Sequence, residues 1–419
     1  MLAAPGATVP RDPPQPEPVL TPTSTSSSLQ DFLGYAVLWL VGACLRLSIL
    51  VVPPLLPQLH AALALSEGQV GLLSSLPALM FALAAVPGAF LVARLGIGGT
   101  LLAGLALNAL GCAARGAVPS VGLLYASTMV MAAGVSISQP ALPPLVRMRF
   151  PRHVGFATAV YTNGLLVGEL LAASLTAPLV LPLVGHSWQA TFAVWALPVV
   201  LTALLVLAFG RHLIPRQHPA TQSRLWLPDW KNPLIWRLGL LLGGVNALYF
   251  VANAFLPDFA TAAGHPALIE SALTALNLSQ IPASFLMLLL AGRLATRRWA
   301  YVATAALSLL SVLGILLSSD GGIVFWCAVL GFSNSITLVL AFALPSLLCA
   351  PADVPRTSAG MFTVSYGWAM LVSISSGQLW DWTRSPLSGI APLAVCALIT
   401  AALASTLVFA PATASATAH

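Results

Sequence analysis

The segment Ala89-Phe90-Leu91-Val92-Ala93-Arg94 has a second copy in the same chain, Gly292-Arg293-Leu294-Ala295-Thr296-Arg297, displaced by 203 positions. Each copy closes an apolar run and presents arginine where the run stops. Two further pairs keep nearly the same displacement. Leu142-Pro143-Pro144-Leu145-Val146 matches Leu344-Pro345-Ser346-Leu347-Leu348 at 202, and Leu56-Pro57-Gln58-Leu59 matches Leu256-Pro257-Asp258-Phe259 at 200. Chance likeness between apolar segments is the competing explanation for any one pair. Three pairs at equivalent places in both halves weigh for two parallel repeats, the symmetry that locates binding sites in membrane carriers.

The composition decides what the repeats are made of. Hydrophobic residues make up 58% of the 419 residues and charged residues only 7%, with a mean hydropathy of +0.92. A soluble domain carries about 25% charged residues to solvate its surface, so that class is excluded. Crossing a ~30 Å hydrocarbon core takes about 20 apolar residues. Twelve such runs are present, at 33–56, 68–93, 98–116, 121–146, 154–181, 189–209, 237–257, 270–292, 300–318, 322–348, 358–380 and 388–410. The expected architecture is an all-α membrane protein, with twelve transmembrane helices in two pseudo-symmetric six-helix bundles. Its expected divisions are a Pro/Ser/Thr-rich disordered tail (1–30), a first bundle (31–209), a polar linker (210–236), a second bundle (237–410) and a short tail (411–419).

The net charge of +6 would suggest a nucleic-acid partner, but the arginines lie between the apolar runs. With the amino terminus placed in the cytoplasm, fourteen of the seventeen Lys and Arg fall on the cytoplasmic side. Arg115 and Arg384 fall outside, and Arg46 lies within a span. Positive charge is retained inside, so both termini are expected in the cytoplasm of a multi-pass protein of the cytoplasmic (inner) membrane. The five cysteines stand singly in apolar segments, a pattern suited to neither a disulfide framework nor a zinc site. No metal and no cofactor is expected. With no phosphate loop and no His/Cys/carboxylate cluster, the chain does not read as an enzyme. A monomer is expected, in contact with the bilayer and a small-molecule solute.

Two parallel six-helix repeats are the architecture of the major facilitator superfamily, and the opening segment resembles that superfamily's Gly-x-Leu-x-Asp-Arg-x-Gly-Arg-Arg loop. Leu91, Arg94 and Gly96 fit it, but Ala93 replaces the acidic position, Thr296 replaces it in the second copy, and Ala89 stands for the first glycine. Arg94, Gly96 and Arg297 are therefore candidate gating residues, in a gate without the usual Asp-centred charge lock. A closer resemblance runs through the first six spans. It is carried by Leu45-Arg46, by Gly71-Leu72-Leu73-Ser74-Ser75-Leu76-Pro77, by Gln139-Pro140-Ala141-Leu142-Pro143-Pro144-Leu145-Val146-Arg147, by Ala159-Val160-Tyr161-Thr162 and by Trp188-Gln189-Ala190. These are similar to the cyanate and nitroimidazole porter family. The likeness is thinner in the second half, at Ala254-Phe255-Leu256-Pro257 and Gly377-Gln378-Leu379-Trp380-Asp381. It implies gradient-driven movement of a small anionic or polar planar solute.

An ionised side chain at the bilayer centre costs roughly 2.5–3.5 kcal/mol on insertion scales and is kept only beside a partner or a wet cavity. Two residues meet that condition, Arg46 in span one and Glu169 in span five, at similar depth. Arg46 reads either as a planar fork of donors for an anion or as the partner of Glu169 in a buried charge pair. The two readings combine if protonation of Glu169 frees Arg46 for the solute, which would couple protons to transport. The uncharged polar candidates for substrate contact are Gln139, Tyr161, Asn246, Tyr249, Asn253, Asn277, Gln280 and Asn334. Asn246, Tyr249 and Asn253 share a helical face by spacing, and each candidate equally suits an interhelical hydrogen bond, worth about 0.6 kcal/mol on average. Gly164 and Gly168 are four apart and read as a close-packing face. The rival function is an exporter of apolar or cationic drugs centred on Glu169.

Overall fold

The computed structural model describes residues 24–214, 226–262, 264–318 and 321–409, and helix accounts for nearly all of them. Ten stretches among them are long and apolar enough to cross a membrane. One of these, Gln69–Ala114, is 46 residues long, about 69 Å at 1.5 Å per residue and twice what one crossing needs. It is two helices joined at Gly96, where φ is +73° and ψ 175°. A Cβ on Gly88 would lie 2.8 Å from the Ile137 carbonyl, and one on Gly104 would meet the Gly134 carbonyl 2.7 Å away. Residues sixteen apart therefore touch the same turn of a neighbouring helix, so the chain doubles back at Gly96. Left-handed backbone of this kind favours glycine. The 30-residue helix Val354–Thr383 spans as well, although it is too polar to count among the ten.

The crossing helices are α1 (Ser24–Leu50 continued by Val52–Leu63), α2 (67–95), α3 (97–114), α4 (Val121–Arg149), α5 (Val154–Leu183), α6 (Trp188–Leu213), α7 (Pro233–Ala262), α8 (Pro266–Leu294), α9 (Arg298–Leu317), α10 (Gly321–Leu348), α11 (Val354–Thr383) and α12 (Pro386–Ser405). Compared with the sequence expectation, α1 starts at Ser24, inside the expected tail, and runs on to Leu63. α6 and α7 likewise take residues from the two ends of the expected linker. The expected tails at 1–23 and 410–419, and linker residues 215–225, lie outside the described residues.

Proline explains most irregularities, since it removes a backbone donor and clashes with the preceding turn. α1 bends at Val51 before Pro53 and Pro54, α4 tightens into a 3-10 turn at Gln139–Ala141 around Pro140, and α5 widens into a π turn at Thr176–Val180 around Pro178. Within the first bundle α1 packs on α5 and α6, and the α2–α3 hairpin packs on α4 and α6; within the second, α7 packs on α11 and α12, and α9 on α10 and α12. The bundles meet where α2 packs on α11 and where α5 packs on α8 and α10.

The α1–α5 seam is built on glycine. The Cβ that any other residue would place at Gly42 meets the Tyr161 backbone, at Gly164 it would lie 3.0 Å from the Trp39 carbonyl carbon, and at Gly168 2.8 Å from the Ala43 Cα. Backbones in contact leave no room for a side chain, as expected of small residues four apart. Gly168→Leu is expected to lower the thermal unfolding midpoint of the purified protein, with an overpacking cost of about 1–3 kcal/mol or more. An exposed change such as Leu204→Ala serves as the control.

Below, the face that holds both ends of the described chain is called the terminal face, and the opposite one the far face. One buried apolar cluster runs through the first bundle and crosses into α8, α10 and α11 near the terminal face, through residues such as Met287, Leu340 and Phe362. The far-face part of the second bundle forms a cluster of its own, including Val251, Ile315 and Ile323. The halves are thus fused at the terminal face and parted at the far face.

Candidate solute-binding site

Between the parted halves lies a cavity of about 650 Å³, lined by residues of α1, α2, α4, α5, α7 and α11. Its lining comes from the far-face portions of these helices, Arg46 to Pro53 in α1, Gly71 to Phe81 in α2 and Tyr366 to Ser373 in α11. Much of the wall is apolar, with Ile49, Leu50, Phe81, Met131, Phe250 and Met370. A second cavity of about 510 Å³ opens between α5 and α8, and Glu169, Tyr249 and Asn253 line both.

Arg46 is buried, 8% exposed, and is one of the residues that line the cavity. Tyr366, Glu169 and Tyr249 are its electrostatic neighbours. The direct pairing with Glu169 raised by the sequence does not form. Among the described residues the ion pairs within 4.0 Å are Arg149–Asp31 and Arg356–Asp353. The reason is a tyrosine from the other bundle: the Tyr249 hydroxyl donates to Glu169 Oε1 at 2.5 Å. The polar chain then continues through the second bundle. Asn253 Nδ2 donates to the Tyr249 carbonyl at 2.9 Å, and Asn277 Nδ2 donates to Asn253 Oδ1 at 2.8 Å.

The floor of the cavity is the join between the halves. Gln139 Nε2 donates to the Tyr366 hydroxyl oxygen at 3.2 Å, which places Tyr366 between Arg46 and Gln139. Phe81 of the first half lies 4.8 Å from the Tyr366 ring, which continues through Phe362 and Phe342 to Tyr161 of the first half. Aromatic pairs of this kind add about 0.5–1.5 kcal/mol each beyond area burial. Deeper still, Asn163 Nδ2 donates to Ser284 Oγ at 3.0 Å and the Ser346 hydroxyl donates to the Pro143 carbonyl at 2.8 Å. Nearest the terminal face Gly155 lets α5 touch α8 at the Ala291 backbone. All of these contacts except those among Phe342, Phe362 and Tyr366 join the two bundles.

The candidates named from the sequence divide accordingly. Arg46, Glu169, Tyr249 and Asn253 come together on the central cavity, while Asn277 and Gln280 face the second one. Gln139 is in the floor, and Tyr161 lies beneath it, buried, with its hydroxyl unpartnered. Asn246, matched to Arg46 by the repeat, instead donates to Ser365 Oγ at 2.8 Å inside the second bundle. Asn334 is buried off the cavity with its Oδ1 unpartnered. Of the gating candidates, Gly96 makes the α2–α3 turn, Arg94 lies over the Phe90 ring at 5.2 Å, and Arg297 borders a surface depression with Trp299 and Phe409. Tyr366 and Arg115 escaped the sequence reading. Tyr366 sits at mid-depth in span eleven next to Ser365, a polar pair that depth alone would have flagged. Arg115 falls on the side that should lack basic residues, which was its signal.

Two helical bundles that clasp a mid-depth cavity, sealed at one face and parted at the other, define a multi-pass membrane transporter of the alternating-access kind. The chain belongs to the Major Facilitator Superfamily, whose model matches residues 38–374. It is 26% identical over 385 residues to the 2-nitroimidazole transporter of Escherichia coli (strain K12), an alignment covering 90% of this chain and 96% of that protein. It is 28% identical over 357 residues to the cyanate transport protein CynX of the same organism, covering 83% and 91%. Among solved structures it superposes on the transporter FucP in the outward conformation with a TM-score of 0.70 and 16% identity, over 88% of this chain and 97% of that one.

Proposed function

We propose that this chain is a secondary active transporter of a small anionic or polar planar solute, of the cyanate, carboxylate or nitroimidazole type, with Arg46 as its anchor. The observation that carries the reading is an arginine at mid-depth on the cavity wall, outside the ion pairs found among the described residues. A guanidinium offers five N–H donors in a plane, and Tyr249 and Tyr366 flank it with hydroxyls. That set matches a flat, negatively polarised solute, and the names of the two bacterial relatives point the same way.

Protons are the proposed coupling ion. Charged Glu169 competes with a solute anion for the field of Arg46. Protonated Glu169 does not, so solute binding and protonation favour each other. The proposed orientation, which the arginine-rich loops support, has the terminal face and both termini in the cytoplasm and the cavity opening to the outside of the cytoplasmic membrane. The protein is proposed to act as a monomer. The apolar lining favours the rival reading, an exporter of apolar or cationic drugs held by Glu169.

A thermal-shift titration of the purified protein separates the two. Cyanate, small carboxylates and 2-nitroimidazole are expected to raise the melting temperature, with about 2.7 kcal/mol of stabilisation at a hundred times the dissociation constant. Stabilisation by lipophilic cations and by none of these solutes would sink the anion reading.

A further inference from the structure

Arg115 was expected in an exposed loop and is instead completely buried at the far-face end of α3. Its backbone N–H closes the helix on the Gly111 carbonyl at 3.3 Å, and its side chain turns back into the protein. Nη1 donates to the Ser48 carbonyl of α1 at 2.8 Å. The guanidinium carbon lies 5.2 Å from the centre of the Phe192 ring of α6. Nε and Nη2 are buried without a hydrogen-bond partner. No carboxylate among the described residues pairs with it, and the ionisable group that acts on it is the Cys112 thiol.

A buried cation needs compensation, and the groups present supply only part of it. The carboxyl end of α3 carries roughly half a negative charge, the ring face attracts cations, and one carbonyl takes one of five N–H donors. A purely structural bolt between α1, α3 and α6 would use the remaining donors, because buried polar groups in native proteins are nearly always satisfied and an orphan points to an unseen water or ion. The residue also lines the 650 Å³ cavity. Its anchor, Ser48, is two residues from Arg46, about 3 Å of helix rise, toward the open end.

We infer that Arg115 is a second anion site of the central cavity, taking a small monovalent anion such as a halide or planar pseudohalide on the far-face side of Arg46. The site stands on its own contacts. Handover of the anion to Arg46 rests on the function proposed above. Two cationic stations in series let an anion be attracted inward without being held fast at either one.

Isothermal titration of the detergent-purified protein with thiocyanate, in chloride-free gluconate buffer, tests this. The wild type is expected to bind two equivalents, and Arg115→Met and Arg46→Ala one each. A wild type that binds one equivalent, with Arg115→Met unchanged from it, overturns the inference. Loss of an equivalent in Arg115→Met with none lost in Arg46→Ala supports this site while removing the proposed anchor. Loss only in Arg46→Ala does the reverse. If Arg115→Met does not fold, wild-type crystals soaked in bromide decide: anomalous density against Nη2 of Arg115 supports the site, and its absence overturns it.

Discussion

Proteoliposomes carrying Arg46→Ala are expected to show no solute counterflow above that of empty vesicles, while Arg46→Lys keeps a small fraction of wild-type activity. Truncating one member of a buried, hydrogen-bonded charge contact costs about 2–5 kcal/mol, or roughly 30- to several thousand-fold in affinity. Lysine retains the charge but loses the planar fork, so a flat solute is held in the right place with the wrong geometry. The drug-exporter reading demands the opposite pattern. There, Arg46→Gln cells would keep their resistance and Glu169→Gln cells would lose it.

Glu169→Gln has the second-largest expected effect, and its signature is a split between exchange and accumulation. A permanently neutral side chain mimics the protonated acid. Solute affinity in this variant is expected to be no lower than in the wild type, because no carboxylate charge competes for the field of Arg46. Counterflow persists, because exchange needs no net proton movement, but accumulation driven by an inward proton gradient is lost. Tyr249→Phe removes the hydrogen bond to the carboxylate and is expected to weaken accumulation without abolishing it. A Glu169→Gln protein that still accumulates solute against its gradient would exclude this residue as the coupling group.

The bundles, the spans and the α1–α5 seam were legible because lipid imposes length and polarity on every crossing helix, and because close backbones leave glycine four apart. The pair of mid-depth charges was legible for the same reason, since apolar surroundings make each one costly. What stayed hidden was orientation about the helix axis. Asn246 occupies the repeat position of Arg46, yet it turns to Ser365 and not to the cavity. Tyr249, one turn further along, takes the place facing Glu169. The bond that stands in place of the Arg46–Glu169 pair, one of the two readings the sequence allowed, joins residues 80 positions apart, and no local pattern encodes it. Arg115 was misplaced because a lone charge beside Gly116 at the end of an apolar run reads as a loop, and only packing shows it folding inward.

The glycine seam between α1 and α5 has a mechanical consequence. With glycine at its closest approaches the seam locks the two helices together, so in the proposed transport cycle the guanidinium of Arg46 and the carboxylate of Glu169 travel as passengers in one rigid carriage. Tyr249 and Tyr366 belong to the other carriage. On the proposed function, rocking of the bundles leaves the spacing of these two side chains fixed and changes which hydroxyls stand beside them, so the working stroke is an exchange of escorts around a fixed pair.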